Sequence, residues 1–143
     1  DPRFFSSFYK RYRINIIVHI NHPLARRRTI RIKDLEGQRV VQRTGGAFDR
    51  ALKDAGVNIE PVLETSSLEG VVAAIMQGIG VGAISESGIA GIMGHQNLKV
   101  IPVSDLAMYT EAHVVCLAER RARPLIASFL HHAGARSLRK GKN

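Results

Sequence analysis

Two predicted strand-to-helix turns carry residues of the kind that binds small anions. The first turn, residues 42–46 with the sequence QRTGG, offers open backbone N–H groups, the hydroxyl of Thr44 and the guanidinium of Arg43. Ser66 and Ser67 offer hydroxyls and N–H groups at the start of the next predicted helix. Two helix N-termini that face one crevice favour a negative charge, because their N–H groups and dipoles point toward it. The predicted anion site consists of Arg43, Thr44, Gly45, Ser66 and Ser67.

A carboxylate, Glu86, follows the next predicted strand, 81–84. In a parallel sheet, ligands bind outside the carboxyl ends of the strands, so Glu86 is placed to meet a cationic group on the same ligand. A simpler interpretation stays open, in which Thr44, Ser66 and Ser67 only cap helices and Glu86 is solvated. Each residue alone favours the simpler interpretation, whereas the whole set favours a ligand site.

The histidines and the cysteine are poorly placed for catalysis or for metal binding. His113 and Cys116 lie three positions apart on a predicted strand, which puts them on opposite faces. His95, His131 and His132 have no carboxylate or cysteine partner at metal-ligand spacing. We therefore expect no catalytic residue, no metal site and no cofactor, and we do not expect an enzyme.

A glycine pattern, Gly78, Gly80 and Ala83, matches the spacing G-x-G-x-x-A of dinucleotide-binding folds. That chemistry requires a strand, then the glycines, then a helix. Here the glycines follow a predicted helix and precede a strand, so no helix N-terminus faces the turn. The pattern therefore does not predict a nucleotide site.

The spacing of apolar residues predicts strands that alternate with helices of about ten residues. The clearest segment is 64–86, where a serine cap, an apolar helical stripe, Gly78 and a buried strand follow one another. Such alternation implies right-handed crossovers and an α/β fold with a mainly parallel, doubly wound sheet covered on both faces. The predicted strands are 8–20, 39–42, 59–63, 81–84, 98–103 and 111–117. The predicted helices are 48–55, 87–93 and 124–132, with another between Ser67 and Gly78 and a turn-like helix at 32–37.

Length and composition fit a globular chain with a sizeable core: 143 residues, 45% hydrophobic and 23% charged. The longest apolar run, 14–20, is interrupted by polar residues and is far shorter than the ~20 residues of a membrane span. The chain opens without the apolar segment of a secretory signal, and one cysteine fits a reducing compartment, so we expect a cytoplasmic protein. The net charge of +9 comes largely from basic runs at 10–13, 26–28 and 136–142, which are typical of solvated surface rather than of a DNA-binding face.

Four segments carry a resemblance to a known family: HPLA at 22–25, DLEG at 34–37, residues 51–56, and QGIGVG at 77–82 followed by a strand. With these, the chain resembles the effector-binding domain of LysR-type transcriptional regulators. The resemblance implies a fold like that of periplasmic binding proteins, with two α/β subdomains and a small effector in the cleft between them. It further implies that one subdomain is nearly complete here, that only parts of the other are present, and that the family's N-terminal winged helix-turn-helix is absent.

By this resemblance the chain divides into four segments. Residues 1–21 form a crossing strand and a remnant of the first subdomain, and 22–105 form the second subdomain. Residues 106–134 form a return strand and the C-terminal helix of the first subdomain, and 135–143 form a basic disordered tail.

A narrower similarity concerns VCLAERR at 115–121, Ser85 with Glu86, and the opening DPRFF. These resemble regulators associated with aminoethylphosphonate catabolism. That subgroup would place a phosphonate on Thr44 and Ser66 and an ammonium near Glu86. The family often has a Gly-Ser-type turn where this chain has residues 44–47, TGGA, so Thr44 alone would supply the hydroxyl there.

The family resemblance implies a sensor of a small anionic effector, an aminophosphonate in the narrower similarity, that controls transcription. The intact protein would be a homo-oligomer, a dimer or tetramer, that binds promoter DNA through a winged helix-turn-helix outside this chain, without a membrane partner. A solute-binding protein of a transport system shares the fold and the anion-binding chemistry, and stays the alternative.

Overall fold

The computed structural model describes residues 1–133, in which strands and helices alternate along most of the chain. The strands are β1 (Phe4–His19), β2 (Arg39–Arg43), β3 (Glu60–Thr65), β4 (Gly82–Ser85), β5 (Leu98–Ile101) and β6 (Met108–Leu117). The α-helices are α1 (Ala47–Asp54), α2 (Leu68–Met76), α3 (Glu86–Ile89) and α4 (Pro124–His132). Short 3-10 turns occupy Pro23–Arg26, Ile32–Leu35, Ala90–Ile92 and Ala118–Arg120.

The chain forms two compact units. The larger is Arg13–Thr110, and the smaller combines Asp1–Tyr12 with the chain from Glu111 onward. The four-segment division made from the sequence stays a prediction, and its basic tail at 135–143 lies outside the described residues. No helix within residues 1–133 is both long enough and apolar enough to cross a membrane.

The sheet of the larger unit is mixed rather than mainly parallel. The second half of β1 pairs antiparallel with β4 through Ile14–Ser85 to Ile17–Gly82, and antiparallel with β5 through Ile16–Ile101 to His19–Leu98. β2 and β3 are parallel, and Val81 bridges in parallel to Val40 of β2. The pattern of apolar residues indicates that β1 is buried but cannot give its direction, so the antiparallel pairing of β1 is not visible in the sequence.

Two apolar clusters pack on the two faces of this sheet. Successive residues of β1 point to opposite faces, so Ile16 belongs to one cluster and Ile17 to the other. The first cluster contains the buried face of α1, with Phe48 and Leu52. The second contains the apolar stripe of α2, whose Ile75 is fully buried. Burial on both faces explains why the second half of β1 is a nearly continuous apolar run.

The segment that runs from α2 to β4 follows its sequence signals closely. Ser67 is the N-cap of α2, and its Oγ accepts a hydrogen bond of 3.0 Å from the Gly70 N–H. The helix ends at Met76, and Gly78 has a φ of +69°, which favours glycine at a helix end. The predicted helix 87–93 is instead the four-residue α3 followed by the 3-10 turn Ala90–Ile92.

In the smaller unit, the first half of β1 pairs with β6. The Ala118 N–H donates a hydrogen bond of 2.8 Å to the Arg3 carbonyl, and the guanidinium of Arg121 lies 4.0 Å from the centre of the Phe5 ring. Helix α4 exposes Leu125 and Phe129, which are 87% and 62% accessible. This unit is therefore a two-strand ribbon with one helix.

The basic loop before β2 is fixed by a carboxylate. Asp34 Oδ2 accepts a hydrogen bond of 2.8 Å from the Arg31 N–H and lies 2.9 Å from Nη1 of Arg27. The hydrogen bond from Arg31 is the main cause that lowers the pKa of Asp34, and the Arg27 guanidinium adds to it, while burial acts in the opposite direction.

We expect Asp34→Asn to destabilise the protein by less than about 1 kcal/mol at neutral pH, since the ion pair is partly exposed. A lowered pKa in the folded state means that this stabilisation is complete above the unfolded-state pKa and is lost as the pH falls through the folded-state pKa. Urea unfolding of both proteins between pH 2 and pH 7 should show the difference vanish in acid. A difference that persists unchanged at the lowest pH would contradict this account.

Candidate functional site

A cavity of about 60 Å³ lies at the carboxyl ends of β2 and β4, beside the first turns of α1 and α2. Because β2, β3 and the start of β4 run in parallel, their carboxyl ends meet at one edge of the sheet. The cavity belongs wholly to the larger unit. Its lining consists of Ile14, Val41, Arg43, Gly46, Ala47, Phe48, Asp49, Leu68, Val71, Ala83, Ile84, Ser85 and Thr110.

The turn between β2 and α1 brings Arg43 to the cavity. The Gly46 N–H donates a hydrogen bond of 2.9 Å to the Arg43 carbonyl, and Gly45 has a φ of +70°, a backbone conformation that favours glycine. The Thr44 N–H donates to the Thr65 carbonyl at 3.1 Å, which joins this turn to the end of β3. Gly46 is the N-cap of α1 and has no side chain to occupy the first N–H groups of the helix. An anion beside Arg43 would therefore also meet the positive end of α1.

The second charged residue of the lining is Asp49, in the first turn of α1. Its Oδ1 atom is fully buried and has no hydrogen-bond partner within the described residues. Burial is the main cause that raises the pKa of Asp49, and the nearby Glu64 carboxylate acts in the same direction, while a hydrogen bond with Gln42 opposes them. The cavity thus combines one guanidinium with one desolvated carboxyl group.

Of the six residues that the sequence predicts for the site, only Arg43 lines this cavity. The Thr44 hydroxyl donates a hydrogen bond of 3.0 Å to Glu64 Oε1, and Gly45 shapes the turn. Ser67 caps α2, while Ser66 is exposed beside it. The role of each of the six residues in binding a ligand stays a prediction.

The Glu86 carboxylate is hydrogen-bonded to the protein backbone in this structure. It is exposed in the first turn of α3, and its Oε2 accepts a hydrogen bond of 3.2 Å from the Arg13 N–H. Since the two residues are 73 positions apart, no local pattern indicates this contact.

Sequence reasoning missed three polar residues of the lining. Ser85 ends β4, and its Oγ lies 2.9 Å from Oγ of Ser87. Thr110 comes from β6, and Asp49 lies three residues after the N-cap of α1. The available signal was the acidic residue Asp49 in the first turn of the predicted helix 48–55, and an acidic residue there usually just stabilises the helix N-terminus.

A second polar cluster lies in the smaller unit. His113 Nδ1 is 3.3 Å from Ser6 Oγ, and His113 Nε2 is 3.5 Å from Glu111 Oε2. A serine, a histidine and a carboxylate bonded in this order occur in nucleophilic catalysis, but such catalysis requires a site from which water is excluded. Here the Glu111 side chain is 41% accessible and bonds Arg11, which is the main cause that lowers its pKa. Within residues 1–133, no three His, Cys, Asp or Glu side chains group as metal ligands do.

Comparison with known proteins identifies this architecture. The model of the LysR substrate binding domain family matches residues 2–137. The uncharacterized HTH-type transcriptional regulator MJ0300 of Methanocaldococcus jannaschii is 31% identical over 111 residues, which are 72% of this chain and 38% of that protein. The HTH-type transcriptional regulator CysL of Bacillus subtilis is 27% identical over 92 residues, which are 61% of this chain and 31% of that protein. The chain thus spans about a third of the length of these relatives.

Solved structures agree with the family match. The CcmR regulatory domain of Synechocystis PCC6803, in complex with 2-PG, superimposes with a TM-score of 0.77 at 19% identity, over 96% of this chain and 68% of that one. The effector binding domain of QuiR, in complex with shikimate, gives a TM-score of 0.79 at 16% identity, over 93% of this chain and 65% of that one. At such identities the likeness shows the fold, and it confirms the periplasmic-binding-protein-like α/β class expected from the sequence. Because the family model matches nearly the whole chain, this protein belongs to the LysR substrate-binding domain family.

Proposed function

We propose that this chain senses a small anionic effector in the cavity beside Arg43 and thereby controls a LysR-type transcriptional regulator. The observation that carries the proposal is the position of Arg43, whose side chain lines a cavity at the carboxyl ends of β2 and β4 beside the uncapped start of α1. A guanidinium and open helix N–H groups are both suited to carboxylate, phosphate or phosphonate groups. The cavity of about 60 Å³ holds only a few non-hydrogen atoms, which favours a small acidic head group.

The other predicted site residues support this role indirectly. The Thr44 hydroxyl holds Glu64, and Ser67 caps the helix whose first residue, Leu68, lines the cavity. We propose that Thr44, Gly45, Ser66 and Ser67 position the turn and the start of α2, and that Arg43 makes the direct contact. An aminophosphonate is the finer version of the proposal, since it fits both an anion site and a neighbouring carboxylate.

The role of the whole protein is also a proposal. The HTH-type regulators to which the chain is similar suggest a cytoplasmic homo-oligomer that binds promoter DNA through a winged helix-turn-helix and changes its DNA affinity when effector binds. Such control requires the effector to bind one conformation of the regulator more tightly than another. The family membership favours this proposal over a solute-binding protein of a transport system.

We expect Arg43→Gln to weaken the binding of small phosphonates and carboxylates about 10- to 100-fold, because a charge-assisted hydrogen bond is lost. Isothermal titration calorimetry on the intact protein would measure this, with melting temperatures to show that the variant is folded. Arg50→Gln is the matched control, since Arg50 lies on α1, the helix that follows Arg43, is exposed and does not line this cavity. Equal affinities of the Arg43 and Arg50 variants would reject the proposed site.

A further inference from the structure

The buried Oδ1 atom of Asp49 needs an explanation. Buried polar atoms in folded proteins nearly always have a hydrogen-bond partner, and a buried acceptor without one costs about 1–3 kcal/mol. Asp49 Oδ1 has none among residues 1–133, yet the side chain lines an open cavity. Since Oδ1 is shielded from solvent in this conformation, a hydrogen-bond donor of a molecule in the cavity would reach it when the carboxyl group turns about its Cβ–Cγ bond.

Contacts within the protein do not neutralise Asp49. None of the ion pairs formed by the described residues includes it. The Glu64 carboxylate repels a charge on Asp49 and so raises the pKa of Asp49, and the Thr44 hydroxyl is already bonded to Glu64. The Gln42 side chain lowers the pKa of Asp49, yet Oδ1 has no hydrogen-bond partner among the described residues. A helix N-terminus favours a carboxylate at this position, but the buried oxygen keeps its capacity to accept a hydrogen bond.

The other residues that line the cavity limit which ligand can supply the hydrogen-bond donor. Arg43 and Asp49 are the charged residues of the lining, and the rest is mostly apolar. Ser85 is already paired with Ser87. One guanidinium and one carboxyl group in a small cavity complement a molecule that carries an acid group at one end and a donor at the other.

We propose that Asp49 determines the specificity of the site: it accepts a hydrogen bond from an ammonium or hydroxyl group of an effector whose acid group binds Arg43. This inference rests on the proposed function of the cavity. The effector class is therefore small amino or hydroxy acids, including amino- and hydroxyalkylphosphonates. Asp49, rather than the exposed Glu86 that bonds the Arg13 backbone, is the partner of the amine.

The inference is tested with isosteric ligand pairs on the intact protein by calorimetry. The pairs are 2-aminoethylphosphonate with propylphosphonate, and 3-aminopropanoate with butanoate; 2-hydroxyethylphosphonate serves as the hydroxyl-bearing probe. Wild-type protein should prefer the amine- or hydroxyl-bearing ligand. Asp49→Asn should reduce that preference about tenfold or more, because the carboxylate is lost while the shape is kept. Binding of the amine-free ligand should stay the same or become tighter, because a nearby negative charge has been removed.

Two controls separate the possible failures. Asp54→Asn changes an exposed carboxylate on the same helix outside the cavity and should leave the preference unchanged. Asp49→Ser is a second variant, used if the amide folds poorly as judged by its melting temperature. An Arg43-dependent affinity with no preference in wild type, or with the same preference in both Asp49 variants, overturns the role of Asp49 alone. Affinity that is insensitive to Arg43→Gln overturns the proposed function itself.

Discussion

Gly80→Ala is expected to destabilise the protein by about 3 kcal/mol or more, because the added methyl group would collide with backbone. A Cβ atom at this position would lie 2.4 Å from the Arg39 carbonyl oxygen and 2.9 Å from the Arg39 carbonyl carbon. The same carbonyl accepts a hydrogen bond of 2.8 Å from the Val81 N–H, which joins this segment to β2. A backbone carbonyl held in that way cannot move aside as the end of a flexible side chain can. Urea unfolding at 25 °C would measure the loss.

Alanine variants of two other glycines, Gly91 and Gly78, should cost less stability than Gly80→Ala and serve as comparisons. Gly91→Ala meets nothing within 4 Å and should change the free energy of unfolding by less than about 0.5 kcal/mol. Gly78→Ala also meets open space, but its φ of +69° should cost about 1–2 kcal/mol. If Gly80→Ala proved no more damaging than Gly78→Ala, the close approach of Gly80 to β2 would be wrong.

Local sequence patterns were sufficient to predict α2 and the glycine turn that follows it. A serine cap, an apolar stripe and a glycine at a helix end are properties of residues close in sequence, and α2 begins and ends where they indicate. The order of elements around Gly78 and Gly80 was likewise predicted, because a helix precedes these glycines and a strand follows them. The length of β1 was underestimated at its start, where Ser6 and Ser7 interrupt the apolar pattern although the strand begins at Phe4 and pairs with β6.

Such local patterns could not predict how strands far apart in the sequence pair with one another. The direction of β1 depends on pairing with β4 and β5, which lie more than 60 residues away, and an apolar run is the same in either direction. The α/β class was nevertheless predictable, because alternating strands and helices need only be counted.

The cavity lies at the edge of the sheet where the sequence predicts a ligand site, but its lining differs from the predicted set of residues. The rule that ligands bind at the carboxyl ends of parallel strands locates the cavity, and Arg43 lies there as expected. Asp49 could not be distinguished from an ordinary acidic residue in a first helical turn, because its burial depends on packing between α1 and the sheet. The contact of Glu86 with the Arg13 backbone depends on the position of β1, so the sequence could not show it either.

Gly82→Ala is expected to destabilise the protein by about 1–3 kcal/mol through overpacking, and Val71→Ala should partly relieve that cost. A Cβ atom at Gly82 would lie 2.8 Å from Cγ1 of Val71 and 3.4 Å from Cδ1 of Ile75, inside the cluster that holds α2 on the sheet. Val71→Ala alone should cost about 2 kcal/mol, because it leaves a space in that cluster. In the double variant the new methyl group occupies the vacated space, so the combined cost should be at least about 1 kcal/mol below the sum.

The same pair of variants links the core to the site, because Val71 also lines the cavity. An alanine at position 82 displaces Val71 away from β4, so Gly82→Ala should weaken the binding of small phosphonates, and adding Val71→Ala should restore part of the affinity. Val57→Ala is the control partner, since Val57 is buried in the other cluster, where its cost should add to that of Gly82→Ala within about 0.5 kcal/mol. Strict additivity of Gly82→Ala with Val71→Ala would mean that the two side chains do not meet, and the packing of α2 against β4 would then differ from this structure.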